Sequence, residues 1–347
     1  MTYLSKRKHD TKIDIKKKVI IIAEIGLNHN GSFDLARRSV LAAFKSGADL
    51  VKFQNFKTED FLRNKKIKWY EGGKKKSLFD ICKRNEFQRD WFKKLINVSK
   101  KKGKYIFSTP HSVATTNDLL SHNISIVKNG SDFLTNLPLL EYFSKKFKTI
   151  ILSTGMANEK QILDALNTIK KGKASVILLH CTSLYPTEDN LASLDRINAL
   201  RDRFGLDTGF SDHTKGWLAA SLAVAKGARV IEKHFTLNKK LVGPDHWFSL
   251  DPKEFKNYVT KIRTAEKMLG KKTLNPTEQE LKIRHTMQVS LVFNQNLRKN
   301  TKLKLSHFDI LRSFKKSLTF SEKRRVVGKK LLKNKKIGDS INIKDVK

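Results

Sequence analysis

Acidic residues are scarce in this chain of 347 residues: 33 Asp and Glu stand against 71 Lys and Arg, for a formal net charge of +38. So positive a balance raises nucleic-acid binding, but a reader of nucleic acid gathers its charge into one stripe. Here the lysines are spread over nearly every helix-like segment, with clusters at 16–18, 74–76, 100–102 and 170–171. We read them as solvated faces and, second, as a positive field that draws in anionic substrates; no nucleic-acid partner is expected. Cysteine is nearly absent. Cys82 and Cys181 lie far apart, in no metal-ligand spacing, which argues for a reducing cytoplasm. Long apolar runs are missing too. The run at 19–22 soon meets Glu24 and is far too short to span a bilayer. Residues 1–18 form a basic leader without the apolar centre of a signal peptide. The expectation is a soluble cytoplasmic protein with no membrane contact.

What the chain does have is alternation. An apolar stretch at 19–25 reads as a strand buried on both faces, and a helix follows over 33–46 with Gly47 as its stop. The unit then repeats. Strands are predicted at 49–54, 105–108, 125–128, 149–153, 175–181, 207–210 and 229–233, and helices at 87–101, 113–121, 137–145, 159–170, 191–204, 216–225 and 252–269. A lysine-rich insertion over 58–86 interrupts the second unit. Eight strand–helix units predict a closed (β/α)8 TIM barrel over 19–270. An open doubly wound sheet is the alternative, and it needs a glycine fingerprint after the first strand that Gly26 and Gly31 do not supply. Residues 271–284 read as a polar linker with Pro276, and 285–347 as a small β-rich domain, marginal by itself.

Side chains two apart on a strand share a face, so Glu232 and His234 point the same way at the end of the last strand. Polar residues close every other strand as well. They are Glu24; Lys52 and Gln54; Ser108 and Thr109; Lys128 and Ser131; Ser153 and Thr154; His180, Thr182 and Ser183; Asp212 and His213. A lone histidine is usually a satisfied core residue, and a Ser or Thr at a strand end is often only a cap. Eight polar strand ends on one rim instead point to one shared pocket, where barrel active sites lie. Lys52 and Lys128 stand among apolar neighbours, where an unpaired ammonium is costly. Two readings are open for them: Schiff-base chemistry, or an anion clamp together with Ser131, Ser153 and Ser183. His213 and His234 could hold a metal while leaving positions for substrate and water.

The motifs Ala23-Glu24-Ile25-Gly26-x-Asn28-His29-Asn30-Gly31, Val51-Lys52-Phe53-Gln54, Ser108-Thr109-Pro110, Ser153-Thr154-Gly155-Met156 and His180-Cys181-Thr182-Ser183-x-Tyr185-Pro186 resemble the sialic acid synthase family. Ser211-Asp212-His213-Thr214, Glu232-Lys233-His234-Phe235-Thr236 and Gly243-Pro244-Asp245-His246 continue the match in family order. The resemblance implies a TIM barrel followed by an antifreeze-like (SAF) domain. The implied reaction condenses phosphoenolpyruvate with an N-acetylated hexosamine such as N-acetylmannosamine, releasing phosphate and giving N-acetylneuraminate or a related nonulosonate such as legionaminate. It implies a divalent metal on His213 and His234, manganese first, with magnesium or cobalt as alternatives. It further implies that Lys52, Lys128, Thr109, Ser131, Ser153 and Ser183 hold phosphoenolpyruvate. Glu24 would act in proton transfer or orient the attacking water, and Gln54, Tyr185 and Asp245 would line the sugar pocket. In a domain-swapped homodimer, Arg312 would reach the sugar of the partner. Two departures stand out: Asn129 where the family has an apolar residue, and Arg312-Ser313-Phe314 where it has an Arg-Pro-Gly loop. A Schiff-base aldolase and a nucleic-acid binder on a dead barrel are the alternatives.

Overall fold

The computed structural model describes residues 15, 17–101 and 103–347, so most of the expected leader lies outside the described residues. The chain divides into two compact units, Met1–Gly270 and Lys271–Lys347. In the first, eight strands share one sheet: β1 (Ile20–Gly26), β2 (Leu50–Asn55), β3 (Tyr105–Pro110), β4 (Ile126–Asn129), β5 (Thr149–Ser153), β6 (Ser175–Cys181), β7 (Asp207–Asp212) and β8 (Val230–His234). Their order is β3-β2-β1-β8-β7-β6-β5-β4, every ladder is parallel, and β3 lies beside β4, so the sheet wraps into the expected barrel. The helices α1 (Phe33–Lys45), α2 (Trp91–Lys100), α3 (Val113–Ser121), α4 (Leu137–Lys146), α5 (Glu159–Ile169), α6 (Arg196–Phe204), α7 (Leu218–Ala225) and α8 (Pro252–Leu269) follow the strands one for one.

Local chemistry sets these elements. Asp251 caps α8 in a box with Glu254, Pro252 occupies its first turn, and Gly270 ends it with φ 58°. Apolar side chains of strands and helices form one core, which includes Ile20–Ile22, Leu50, Val127, Leu140, Ile151, Leu179, Phe210 and Ile231, with Ile15 buried among them. Gly209 marks the tightest approach between strands: a Cβ there would lie 2.3 Å from the Val230 carbonyl oxygen and 2.6 Å from Leu179 Cδ2.

Elsewhere the structure departs from the sequence reading. The second helix begins at Trp91 rather than at 87, because Phe87 turns inward against Phe53 and Trp91. The insertion over 58–86 is folded: a turn of helix Thr58–Phe61, a hairpin of Lys68–Glu71 with Lys74–Ser77, and a helix Leu78–Arg84. It owns a small apolar cluster, Leu27, Phe56, Ile81 and Cys82 with Phe61 and Leu78, apart from the barrel core. Among the described residues no helix is long and apolar enough to cross a membrane.

In the second unit a helix, Glu278–Met287, crosses the predicted linker. It buries none of its residues and is held by a Thr277–Glu280 capping box, so no apolar stripe marks it in the sequence. Strands Val289–Phe293 and Phe308–Arg312 pair antiparallel over a core of Leu291, Phe293, Leu303, Phe308, Leu318, Val326, Leu331, Ile341 and Val346. A buried Lys335–Asp345 ion pair at 2.9 Å closes its far end.

Glu86 ties the two ends of the insertion together. It accepts from the Thr58 N–H at 2.9 Å and from Lys57 and Lys83, each at 3.1 Å. Burial works against its charge, but these donors prevail and hold the carboxyl down at about 2. Glu86→Gln should lower the local stability of 58–86 by about 1–3 kcal/mol, read as faster amide exchange in that segment alone. In the native chain the carboxylate's contribution is full above its ordinary range and is lost as pH falls toward 2. The substituted chain should lack that acid step.

Candidate active site

Strand alternation carries the polar residues into the barrel. Lys52 and Gln54 face inward while Phe53 faces the helix layer; Cys181, Ser183, Ser211, His213, Glu232 and His234 follow the same rule. They surround a cavity of about 460 Å³ at the C-terminal ends of the strands. Glu24, Lys52, Gln54, Thr109, Lys128, Ser131, Ser153, Ser183, Tyr185, His213, His234 and Asp245 all line it. Arg312 is the exposed last residue of a strand in the second unit.

Two lysines and two glutamates form its floor. Ladder register sets Glu24 beside Lys52 on one side and His234 on the other. Lys52 Nζ lies 2.6 Å from Glu24 Oε2 and 3.9 Å from Glu232 Oε1, and it donates to Thr109 Oγ1 at 3.1 Å. Lys128 Nζ lies 2.6 Å from Glu232 Oε1, which also accepts from Ser211 at 3.2 Å. Burial alone would strip the charge from Lys128, but Glu232 outweighs it and raises the ammonium above its ordinary value. Glu232 is lowered in return: burial opposes, and Lys128 with Lys52 prevails. Glu24 goes the other way. Burial raises it, Lys52 only partly offsets that, and Glu232 adds to the rise. One carboxylate thus stays charged while its neighbour takes up a proton more readily, as acid–base work requires.

Hydroxyls crown one side of the cavity. A Cβ on Gly155 would stand 2.4 Å from Ser183 Oγ and 2.7 Å from Ser131 Oγ, so only glycine lets both converge there. The Gly155 N–H donates to Ser131 Oγ at 3.0 Å. Ser153 Oγ is buried without a hydrogen-bond partner among the described residues. With Lys52 and Lys128 below, these groups form a cradle for an anion.

The two histidines stand between that cradle and Asp245, their ring centroids 5.6 Å apart. His213 Nδ1 donates to the Thr182 carbonyl at 2.8 Å, so the neutral ring carries its lone pair on Nε2; burial opposes a charge on this ring, but Cys181 and the Thr182 carbonyl prevail and raise its proton affinity. His234 Nδ1 is buried without a hydrogen-bond partner among the described residues and lies 3.9 Å from Asp245 Oδ2. Burial, then His213 and the lysines, keeps His234 neutral by holding it well below the usual imidazole value. Tyr185 covers both rings, at 4.1 Å from His213 and 5.8 Å from His234. Burial and the nearby Glu24 push Asp245 up to about 7. Two neutral-capable imidazole donors fit a divalent metal whose remaining positions stay open. Among the described residues no three His, Cys, Asp or Glu side chains gather tightly enough to close a site alone.

Some rim residues turn away. His180 stacks on Phe210 at 5.5 Å and bonds the Ala192 carbonyl at 2.7 Å, a satisfied core histidine. Asp212 faces the helices. Its Oδ2 meets Tyr258 OH at 2.8 Å and Lys233 Nζ at 3.1 Å, and its Oδ1 takes the Thr214 N–H and hydroxyl at 2.8 and 2.7 Å. Lys233 also donates to the Thr214 carbonyl. This buried network clamps the two strand ends that present His213 and His234 from behind. Nothing in the sequence marks Tyr258 as its member, since an aromatic on an apolar helix face reads as core.

The NeuB family model matches residues 39–274 of the chain. A Campylobacter jejuni protein named N,N'-diacetyllegionaminic acid synthase is 40% identical over 290 residues, covering 82% of this chain and 87% of that one. A Legionella pneumophila protein of the same name is 37% identical over 331 residues, covering 92% of each. The crystal structure of N-acetylneuraminic acid synthetase from Leptospira borgpetersenii superposes with a TM-score of 0.73 at 35% identity, covering 82% of this chain and 97% of that one.

Tyr258→Phe should cost about 1–3 kcal/mol in urea unfolding, because it withdraws a donor from a buried carboxylate. Tyr142→Phe loses only an exposed bond to Asn117 and should stay within about 0.5 kcal/mol of the parent.

Proposed function

The chain belongs to the NeuB family of nonulosonate synthases, and from that premise we propose that it condenses phosphoenolpyruvate with an N-acetylated hexosamine aldehyde, releasing phosphate. The observation that carries this reading is the pairing of an anion cradle with a two-histidine corner in one cavity. A carboxylate and a phosphate together need several cations and hydroxyls. Lys52, Lys128, Thr109, Ser131, Ser153 and Ser183 supply them from five strand ends and their loops. The alternative Schiff-base role fits Lys52 and Lys128 poorly, since each is already paired with a carboxylate at 2.6 Å and Lys128 is held charged.

His213 and His234 would hold the divalent metal, which when bound polarises the sugar aldehyde. The chain's own residues do the rest. C3 of phosphoenolpyruvate forms a bond to the aldehyde carbon, and the aldehyde oxygen takes a proton. Water adds to C2, and the bond from C2 to the phosphate oxygen breaks to give phosphate and the 2-keto acid. Positive charge that develops at C2 is balanced by Glu24 and Glu232 below it, and the lysines steady the phosphate as it leaves. Glu24, raised in its proton affinity and bonded by Gln54 at 3.0 Å, is placed to move the proton of the water. Asp245, near neutrality at pH 7, and Gln54 would orient the sugar. The products named for the relatives, legionaminic, pseudaminic or sialic acid, differ in the sugar and not in this chemistry.

The test is phosphate release from phosphoenolpyruvate with a panel of N-acetyl hexosamines, with and without manganese. Release that needs both sugar and metal is expected; none with any sugar sinks the reading. His234→Ala should abolish metal-dependent turnover with the fold intact by circular dichroism. For Arg312 we propose a contact with the sugar in the barrel of a second copy. Arg312→Ala should then raise KM for the sugar about tenfold or more while KM for phosphoenolpyruvate stays put.

A further inference from the structure

The loop that leads from β8 to α8 brings Pro244 and Asp245 into the lining of the cavity. Among the described residues, none from 238 to 247 joins an apolar core cluster, and Val242 is exposed. Its grip on the barrel comes instead from two asparagines in the loop after β1. Asn30 Nδ2 donates to the Val242 carbonyl at 2.9 Å, and Asn30 Oδ1 meets His246 Nε2 at 3.2 Å. An amide oxygen only accepts, so Nε2 carries the ring proton and His246 Nδ1 takes the Thr236 hydroxyl at 2.6 Å. His246 is fully buried, and burial keeps it neutral by lowering it to about 4. The approach is close: a Cβ on Gly243 would lie 2.7 Å from Asn30 Oδ1 and 2.5 Å from His246 Cδ2.

Asn28 holds the other side of Asp245. It is buried, and its Nδ2 donates to the Phe235 carbonyl and to Ser249 Oγ, each at 2.9 Å. The Ser249 hydroxyl in turn donates to the Asp245 carbonyl at 2.6 Å. Residues on both sides of Asp245 are thus tied to one short turn, in which Asn30 takes the left-handed conformation, φ 48°, that asparagine adopts more readily than most. Between these ties the Asp245 carboxyl stands with Oδ2 3.9 Å from the unpartnered His234 Nδ1. A displacement of about 1 Å at a reacting centre can cost on the order of a hundredfold in rate. Neither asparagine lines the cavity. We propose that Asn28 and Asn30 are positioning residues, which act through Ser249 and the Thr236–His246 pair to set the Asp245 carboxyl beside His234. The inference rests on the synthase reading for the role of Asp245 and adds the residues that place it.

The experiment measures kinetics with phosphoenolpyruvate, manganese and the N-acetyl hexosamine of the panel that releases phosphate fastest. Asn30→Ala and Asn28→Ala should each raise KM for the hexosamine about tenfold, with KM for phosphoenolpyruvate within about twofold of the parent. In an Asp245→Ala background the same substitutions should shift KM by less than about twofold, because the residue they place is gone. Thr236→Val should behave as Asn30→Ala does, and Thr236→Ser, which keeps the hydroxyl, as the parent. Amide exchange in Asn30→Ala should quicken over 237–249 and nowhere else in the barrel. An unchanged KM for the hexosamine, an equal rise for both substrates, or effects that add in full to Asp245→Ala overturn the proposal, as does exchange over 237–249 that matches the parent. No phosphate release by the native enzyme with any hexosamine overturns instead the synthase reading, and the exchange measurement still tests the two asparagines.

Discussion

Everything in the barrel unit is arranged around four buried charges that must balance one another. Lys52 and Lys128 face Glu24 and Glu232 at the floor of the cavity, with two contacts of 2.6 Å and one of 3.9 Å. Buried ion pairs seldom repay the loss of hydration, and a well-packed apolar set in their place is often no less stable. Their presence is therefore explained by what they do. Glu232 sustains the charge of Lys128, and both lysines line the cavity that the anion of the proposed reaction would enter. The strands that carry them, β1, β2, β4 and β8, are distant in sequence, and only the closed sheet brings them to one floor.

The rest of the cavity grades outward from that floor. Hydroxyls stand on one flank, aromatic and aliphatic groups on the other, and two imidazoles lie between. The imidazoles are aimed by a network on the opposite face of the same strands, where Asp212, Lys233, Thr214 and Tyr258 satisfy one another out of water. Period-two alternation makes that economical: Asp212 and Lys233 face outward because His213 and His234 face inward. The residues of that network do not themselves line the cavity.

Much of this was legible in the sequence for one reason: the signals are local. Parallel strands buried on both faces show as apolar runs, helices stop at glycines, and polar groups collect at the strand ends that build a barrel's working rim. Polarity at a strand end does not say which way a side chain turns, however. His180 and Asp212 read like rim residues and face the helices, held by Ala192 and Tyr258. The insertion at 58–86 read only as lysine-rich, because Phe61, Leu78, Ile81 and Cys82 gain their partner surface from Leu27 and Phe56 of the rim, a contact between distant segments. The helix Glu278–Met287 went unseen because it buries nothing.

By itself the sequence determined the barrel, the order of its eight units and the residue types at its rim, since period and composition are properties of short stretches. Tertiary structure alone decided which carboxylate pairs with which lysine and how Ser131 and Ser183 meet over Gly155. Those are contacts between segments tens to hundreds of residues apart, and their geometry exists only once the sheet has closed.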